Sequence, residues 1–298
     1  MRQKNSGGQV VPINRRSIGE RVKSYLRSPF SLVMFLLVVL AALATFSVLL
    51  FLIGYILVKG IPYLTPELFA PKYTSDNVSM FPAIVNTLIM TGVSLLIAVP
   101  LGIFTAIYLA EYARRGNKLV GIVRITAETL SGIPSIVYGL FGMLFFVTYL
   151  RWQYSLLAGA CTLAIMILPL VMRTTEEALL AVPDTYREGS FGLGAGKLRT
   201  VFRIILPSAM PGILAGVILA VGRIVGETAA LIYTAGSVAE IPRRGLMGSG
   251  RTLAVHMYVL STEGLHINEA YATAVVLLLI VLLINTVSSF AAKKLTKN

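Results

Sequence analysis

Six apolar runs, each able to supply the roughly 20 residues a helix needs to cross a bilayer, alternate along the chain with shorter polar segments. They lie near residues 30–58, 84–110, 131–150, 155–172, 206–235 and 272–292. The pattern predicts an all-α, polytopic membrane protein with six transmembrane helices. Only Arg151-Trp152-Gln153-Tyr154 separates the third run from the fourth; its aromatic rings suit the headgroup interface, and a helical hairpin is expected there. The first run is too long for the apolar region of a signal peptide and carries no convincing small-residue cleavage pattern, so it is expected to remain as a span.

Composition agrees: 56% of residues are hydrophobic, 13% are charged and the mean hydropathy is +0.80, far from the usual quarter charged of soluble domains. A formal net charge of +13 would suggest nucleic acid in a soluble chain. Here the basic residues sit between apolar runs, where they set topology and meet anionic lipid headgroups, so no nucleic-acid partner is expected. The flanks formed by the N-terminus, 111–130, 173–203 and the C-terminus hold nineteen Lys and Arg, the opposite flanks hold six, and Arg223 lies inside a span. Both termini are therefore expected in the cytoplasm.

The single cysteine, Cys161, permits no internal disulfide. His256 and His266 stand ten residues apart without an evident third ligand, so no metal site is expected. The stretch from Arg251 to His256 is expected to form a short helix at the outer mouth. No paired catalytic carboxylates or nucleophile-base set appear, and no catalytic residue is expected.

The most informative spacing falls in the polar segment before the fifth run. Glu188-Gly189-Ser190, Gly194 three residues later, and Ile204 and Leu206-Pro207 after nine more resemble the cytoplasmic docking loop of ATP-binding-cassette (ABC) import permeases. There the pattern is E-A-A, three residues, G, nine residues, I-x-L-P. Gly189 and Ser190 replace the two alanines but stay small. A Gly-rich segment can also be a mere flexible connector; the joint spacing and the cytoplasmic position favour docking. No Gly-x-x-x-x-Gly-Lys-Ser/Thr motif occurs. The resemblance implies that ATP and Mg belong to a separate ATPase docked on Glu188 to Pro207, with no cofactor in this chain.

Arg223 and Glu227 interrupt the fifth run. A charge at the centre of a membrane helix costs about 2.5 to 3.5 kcal/mol or more, so it is kept for a partner or a path. Four residues apart on one helix face, the two can form a salt bridge that only fixes packing; alternatively Arg223 meets an oxyanion and Glu227 orients it. Arg124 and Glu128, also four apart, precede Gly132 and Pro134, which can break a helix; these four are candidate gate or packing residues.

The runs Asn86 to Gly92, Ala98 to Gly102, Glu128 to Gly139 and Gly222 to Ala229 resemble the membrane subunits of the bacterial phosphate-specific (Pst) importer. Met166 to Pro169, Arg173 to Leu179 and Tyr186 to Ser190 are more similar to the PstA-type permease than to its sister PstC. The resemblance implies a MetI-like fold of the ABC type I importer class, with a basic cytoplasmic segment at 1–29, a first helix at 30–58, a five-helix permease core at 81–292 with its docking loop at 173–205, and a cytoplasmic tail at 293–298. It implies a PstC-type permease as heterodimer partner, two copies of a PstB-type ATPase and a PstS-type phosphate-binding protein, and it puts Arg223 and Glu227 on the phosphate path. A permease for molybdate or sulfate, the PstC-type subunit, and an ion-coupled secondary transporter or channel remain alternatives.

Overall fold

The computed structural model describes residues 3–4, 10–11, 29–114 and 116–295. Of the basic residues counted above, Arg2, Arg15, Arg16, Arg21, Lys23, Arg27, Arg115 and Lys297 lie outside the described residues. The chain divides into two units, Met1–Ile56 and Leu57–Asn298. In the first, β1 (Gln3–Lys4) pairs antiparallel with β2 (Val10–Val11). Its other described residues belong to α1 (Pro29–Gly60), which runs four residues into the second unit. From Phe30 to Val58, α1 exposes large apolar side chains such as Phe30, Leu40, Phe46 and Phe51. A helix apolar all round belongs in hydrocarbon, where its backbone groups are satisfied internally.

The second unit is helical throughout. α2 (Phe81–Ile107) runs on through a π turn to Tyr112, and is followed by α3 (Lys118–Ser131) and by α4 (Ser135–Gly142), which π turns extend to Tyr149. α5 (Leu156–Leu180) precedes the short α6 (Asp184–Gly192). α7 (Lys197–Thr200) passes through a π turn into α8 (Leu206–Val225). α9 (Ala229–Ile232), α10 (Leu253–Glu263) and α11 (Ile267–Leu295) complete the chain. Five stretches are long and apolar enough to cross a membrane, and the bent pair α3 and α4 makes a sixth. The predicted all-α, six-span architecture is what the chain adopts.

α5 is the hub, packed between α2 and α8 and touching α3 and α4. Small residues allow this: a Cβ on Gly216 of α8 would overlap the Thr174 hydroxyl of α5, and Ser94 of α2 donates to the Ala160 carbonyl at 3.1 Å. Leu163, Met166, Ile167 and Val171 of α5 join Met90, Tyr138, Ile224 and Leu231 in the main core. A second core at one end gathers Ile107, Leu109, Met172, Leu179, Val201, Ile205 and Ile213.

Three expected boundaries shift, each for a physical reason. Residues 118–130, within the expected 111–130 loop, belong to α3, and the third span, expected from 131, is α3 plus α4 bent by 102°; Pro134 disfavours helix at Ile133 and breaks it. α5 continues past residue 172 to Leu180, because Arg173, Glu176 and Glu177 find partners along it. The fifth span begins at Lys197 and stops at Val225 rather than 235; Gly226 ends it. The predicted short helix near His256 is α10, opened by Thr252, whose hydroxyl accepts from Val255 N at 3.4 Å. The residues before it are strapped down: Asn86 Nδ2 donates to the carbonyls of Glu240 (3.0 Å) and Arg251 (3.2 Å), and Leu253 N donates to Thr87 Oγ1 at 2.9 Å.

Candidate functional site

The polar segment before the fifth span folds into a small, self-supporting structure. Pro183 enters α6 with φ −56° and Asp184 occupies its first turn, where a carboxylate meets the positive end of the helix dipole. Glu188, Gly189 and Ser190 lie in α6. Just beyond it Gly194 takes φ +79°, a left-handed conformation that glycine adopts without steric cost. That turn sends Gly194 N to the Phe191 carbonyl (2.9 Å) and Ala195 N to the Ser190 carbonyl (3.1 Å). The buried Ser190 and Thr200 hydroxyls, 2.8 Å apart, tie α6 to α7. Ile204 falls in the π turn, and Leu206 and Pro207 open α8.

Arg187 fixes the segment to the body. Its Nη2 donates to Glu111 Oε1 at 2.6 Å and to the Leu179 carbonyl at 2.9 Å; Nη1 donates to the Val182 carbonyl at 2.8 Å and to Asp184 Oδ1 at 3.1 Å. The hydrogen bonds that Arg187 donates to Glu111 raise the Arg187 pKa further above its ordinary value, against the opposing effect of burial. Glu188, Gly189 and the tip from Phe191 to Gly194 remain exposed, with Leu193 at 91%. Gly189, Gly192 and Gly196 face open space, so nothing within this chain requires them to be small. Beside the tip, Ser190, Ala195, Leu198, Arg199, Phe202 and Arg203 line a cleft of about 740 Å³. Exposed apolar side chains beside a cleft form a surface suited to a partner.

Arg124 and Glu128 both point from α3 to α5. Arg124 Nε donates to the buried Glu176 Oε1 at 2.8 Å, while Arg173 Nη1 reaches Glu128 at 3.2 Å and its Nε reaches Glu177 at 3.0 Å. The pairs join α3 to α5 just before the bend. Gly132 closes α3 and Pro134 opens α4; Tyr138 spans the bend by donating to the Leu130 carbonyl at 2.8 Å.

Of the two readings of Arg223 and Glu227, the salt bridge between them is absent among the described residues. Helix α8 ends at Val225, so the two no longer share a continuous helical face. The buried Glu227 instead turns Oε1 to Ala230 N at 3.0 Å. Arg223, half-buried, makes no salt bridge among the described residues, and its neighbour Ile224 packs in the main core with Tyr138.

Sequence reasoning missed Glu111, Glu176, Thr200 and Tyr138. Glu111 ends the second apolar run, which was a signal, but its partner lies 76 residues away. His256 and His266 do not act together: His256 is fully buried against Tyr73, and His266 Nδ1 approaches Glu269 Oε2 at 3.8 Å.

Residues 98–298 match the family described as binding-protein-dependent transport system inner membrane component. A probable ABC transporter permease protein, YqgI of Bacillus subtilis, is 34% identical over 85% of this chain and 92% of its own length. Phosphate transport system permease protein PstA 1 of Mycobacterium tuberculosis is 36% identical over 69% of this chain and 68% of that one. PstA of Pasteurella multocida is 42% identical over 60% and 64%. Among solved structures, a bacterial alginate ABC transporter in complex with an alginate pentasaccharide-bound periplasmic protein contains a chain with a TM-score of 0.65 at 15% identity, covering 95% of this chain and 99% of that one. An inward-facing MetNI methionine ABC transporter gives 0.57 at 21% identity, covering 73% and 94%. With a match over two thirds of its length and relatives of this identity, the chain belongs to the family of binding-protein-dependent transport system inner membrane components.

Proposed function

We propose that this chain is the PstA-type permease subunit of a bacterial importer that carries inorganic phosphate across the plasma membrane. The observation that carries the substrate is its likeness to permeases named for phosphate transport, at 36% and 42% identity. Arg223, a cation in the fifth span without an acidic partner among the described residues, supports an anionic cargo.

ATP hydrolysis, with its Mg, takes place in a separate PstB-type ATPase, two copies of which serve the complex. One docks on the surface that Glu188, Gly189 and Gly194 present, held from beneath by the buried Ser190 and carried on Ile204, Leu206 and Pro207. The open space at Gly189, Gly192 and Gly196 and the exposed Leu193 support close approach by that partner. A PstC-type permease completes the pore and a PstS-type binding protein delivers phosphate. Both termini and α6 then face the cytoplasm, and the connection from 236 to 252 faces outward. Arg223 marks the phosphate path, with Glu227 at the helix break beside it, and the ion pairs of Arg124 and Glu128 beside Gly132 and Pro134 brace the bend that lines it.

The test is ATP-dependent uptake of labelled phosphate, sulfate and molybdate by vesicles holding the four-component complex. Uptake of phosphate that excess sulfate and molybdate do not compete away is expected. Preference for either of the other oxyanions, or uptake that persists without ATP and the ATPase, refutes the proposal.

A further inference from the structure

Two broken helices meet at one place in the second unit. α8 stops at Val225 and α9 restarts at Ala229, while α3 and α4 bend by 102° at Gly132 to Pro134. α9 lies against α4 so closely that a Cβ on Gly139 would stand 2.8 Å from Ala230 Cα and 3.3 Å from the Ala229 carbonyl oxygen. Tyr138, the neighbour of Gly139, holds the bend through Leu130 and shares a core with Ile224, the residue after Arg223. The seat of α9 therefore sets the seat of α4 and of Tyr138, beside the end of α8 that carries Arg223.

A single turn of four residues cannot sustain itself, and its first N–H groups need acceptors. Thr228 precedes α9 but makes no side-chain cap to it. Glu227 supplies the acceptor, Oε1 to Ala230 N at 3.0 Å, from a buried position. Its carboxylate is committed to backbone rather than to the guanidinium four residues earlier. A free carboxylate beside an oxyanion would repel it; one engaged with an N–H group has a different task.

We propose that Glu227 is a positioning residue: it caps α9 and, through the contact of Ala230 with Gly139, holds α4 and Tyr138 where Arg223 stays free to meet the anion. The inference rests on the phosphate-path reading and deepens it by separating the role of Glu227 from that of Arg223.

Gln keeps an acceptor oxygen at this position and Ala removes it, so the pair separates capping from charge. In the reconstituted complex, phosphate uptake by E227Q should exceed uptake by E227A by about tenfold or more, the cost of leaving a buried N–H unsatisfied. Gly139→Ala should depress uptake as E227A does. A second readout needs no substrate: with Cys161→Ser and Leu231→Cys, the fully buried position 231 should resist a membrane-permeant maleimide in the parent and with E227Q, and react several-fold faster with E227A. Equal uptake by E227Q and E227A, or equal labelling, overturns the inference. A parent complex that takes up no phosphate fails the path reading instead, and the labelling comparison still decides whether Glu227 seats α9.

Discussion

Arg187 Nη2 donates to Glu111 Oε1 at 2.6 Å, joining α6 to the end of α2 across 76 residues of sequence. With 16% and 7% of the two side chains exposed, this is a largely buried pair, and the same guanidinium also serves the carbonyls of Leu179 and Val182. Arg187 thus ties α6 to the end of α2 and to the end of α5, and under the proposed docking it lies between the ATPase and the core.

Removing one partner of a buried pair strands the other, at a cost of about 3 to 5 kcal/mol. Arg187→Ala should therefore lower the apparent melting temperature of the purified complex and uncouple ATP hydrolysis from uptake. Arg187→Lys should recover only part of the loss, since an ammonium cannot hold a carboxylate and two carbonyls in one planar fork. Wild-type melting and coupling in Arg187→Ala would show that the docking segment is held by other contacts.

Gly194 adopts φ +79° and faces open space. Any other residue there pays about 1 to 2 kcal/mol of backbone strain, and a long one also covers the tip. Gly194→Arg should release the ATPase from the membrane complex, as read by co-purification. Gly192→Ala separates backbone strain from covering of the surface: Gly192 is not among the positive-φ glycines and has open space, so this chain should fold as before whether or not the ATPase still docks. Retained ATPase and full transport with Gly194→Arg would remove Gly194 from the docking surface.

The six spans were legible because a bilayer demands long apolar runs, and the turn between α6 and α8 because a left-handed glycine at 194 and a proline at 207 leave punctuation in the sequence. What stayed hidden depends on tertiary partners. Residues 118–130 look like loop because Arg124 and Glu128 interrupt the apolar pattern, yet those charges are answered by Glu176 and Arg173 on α5. Spacing put Arg223 and Glu227 on one helical face; the break at Gly226, with Glu227 turned to Ala230 N, sets them apart. Glu111 and Arg187 carry no local signal of their pairing at all.

Arg223 is the cation that the proposed path depends on. Losing a hydrogen bond to a charged ligand costs about 1.5 to 3 kcal/mol, so Arg223→Gln should cut phosphate uptake by about tenfold or more while leaving the complex assembled. Arg223→Lys should lie between, keeping the charge without the paired donors. Normal uptake by Arg223→Gln in an assembled complex would place the phosphate path elsewhere.

Acid should loosen the segment around α10. His256 is fully buried, its edge toward Tyr73, with the Arg251 guanidinium 4.8 Å from the same ring. Burial first, and the Arg251 charge second, push its pKa down to about 3 from 6.5, so the folded chain keeps it neutral. The unfolded chain takes up a proton below pH 6.5 and the folded one does not, so stability from His256 is complete above that pH and is lost as pH falls from 6.5 toward 3. The loss amounts to about 2 kcal/mol at pH 5. Melting curves of the complex between pH 7 and pH 5 should slope less steeply for His256→Gln than for the parent, even though the variant melts lower at pH 7. Parallel slopes would mean that His256 titrates as it does in the unfolded chain, and that Arg251 and Tyr73 do not enclose it in the assembled protein.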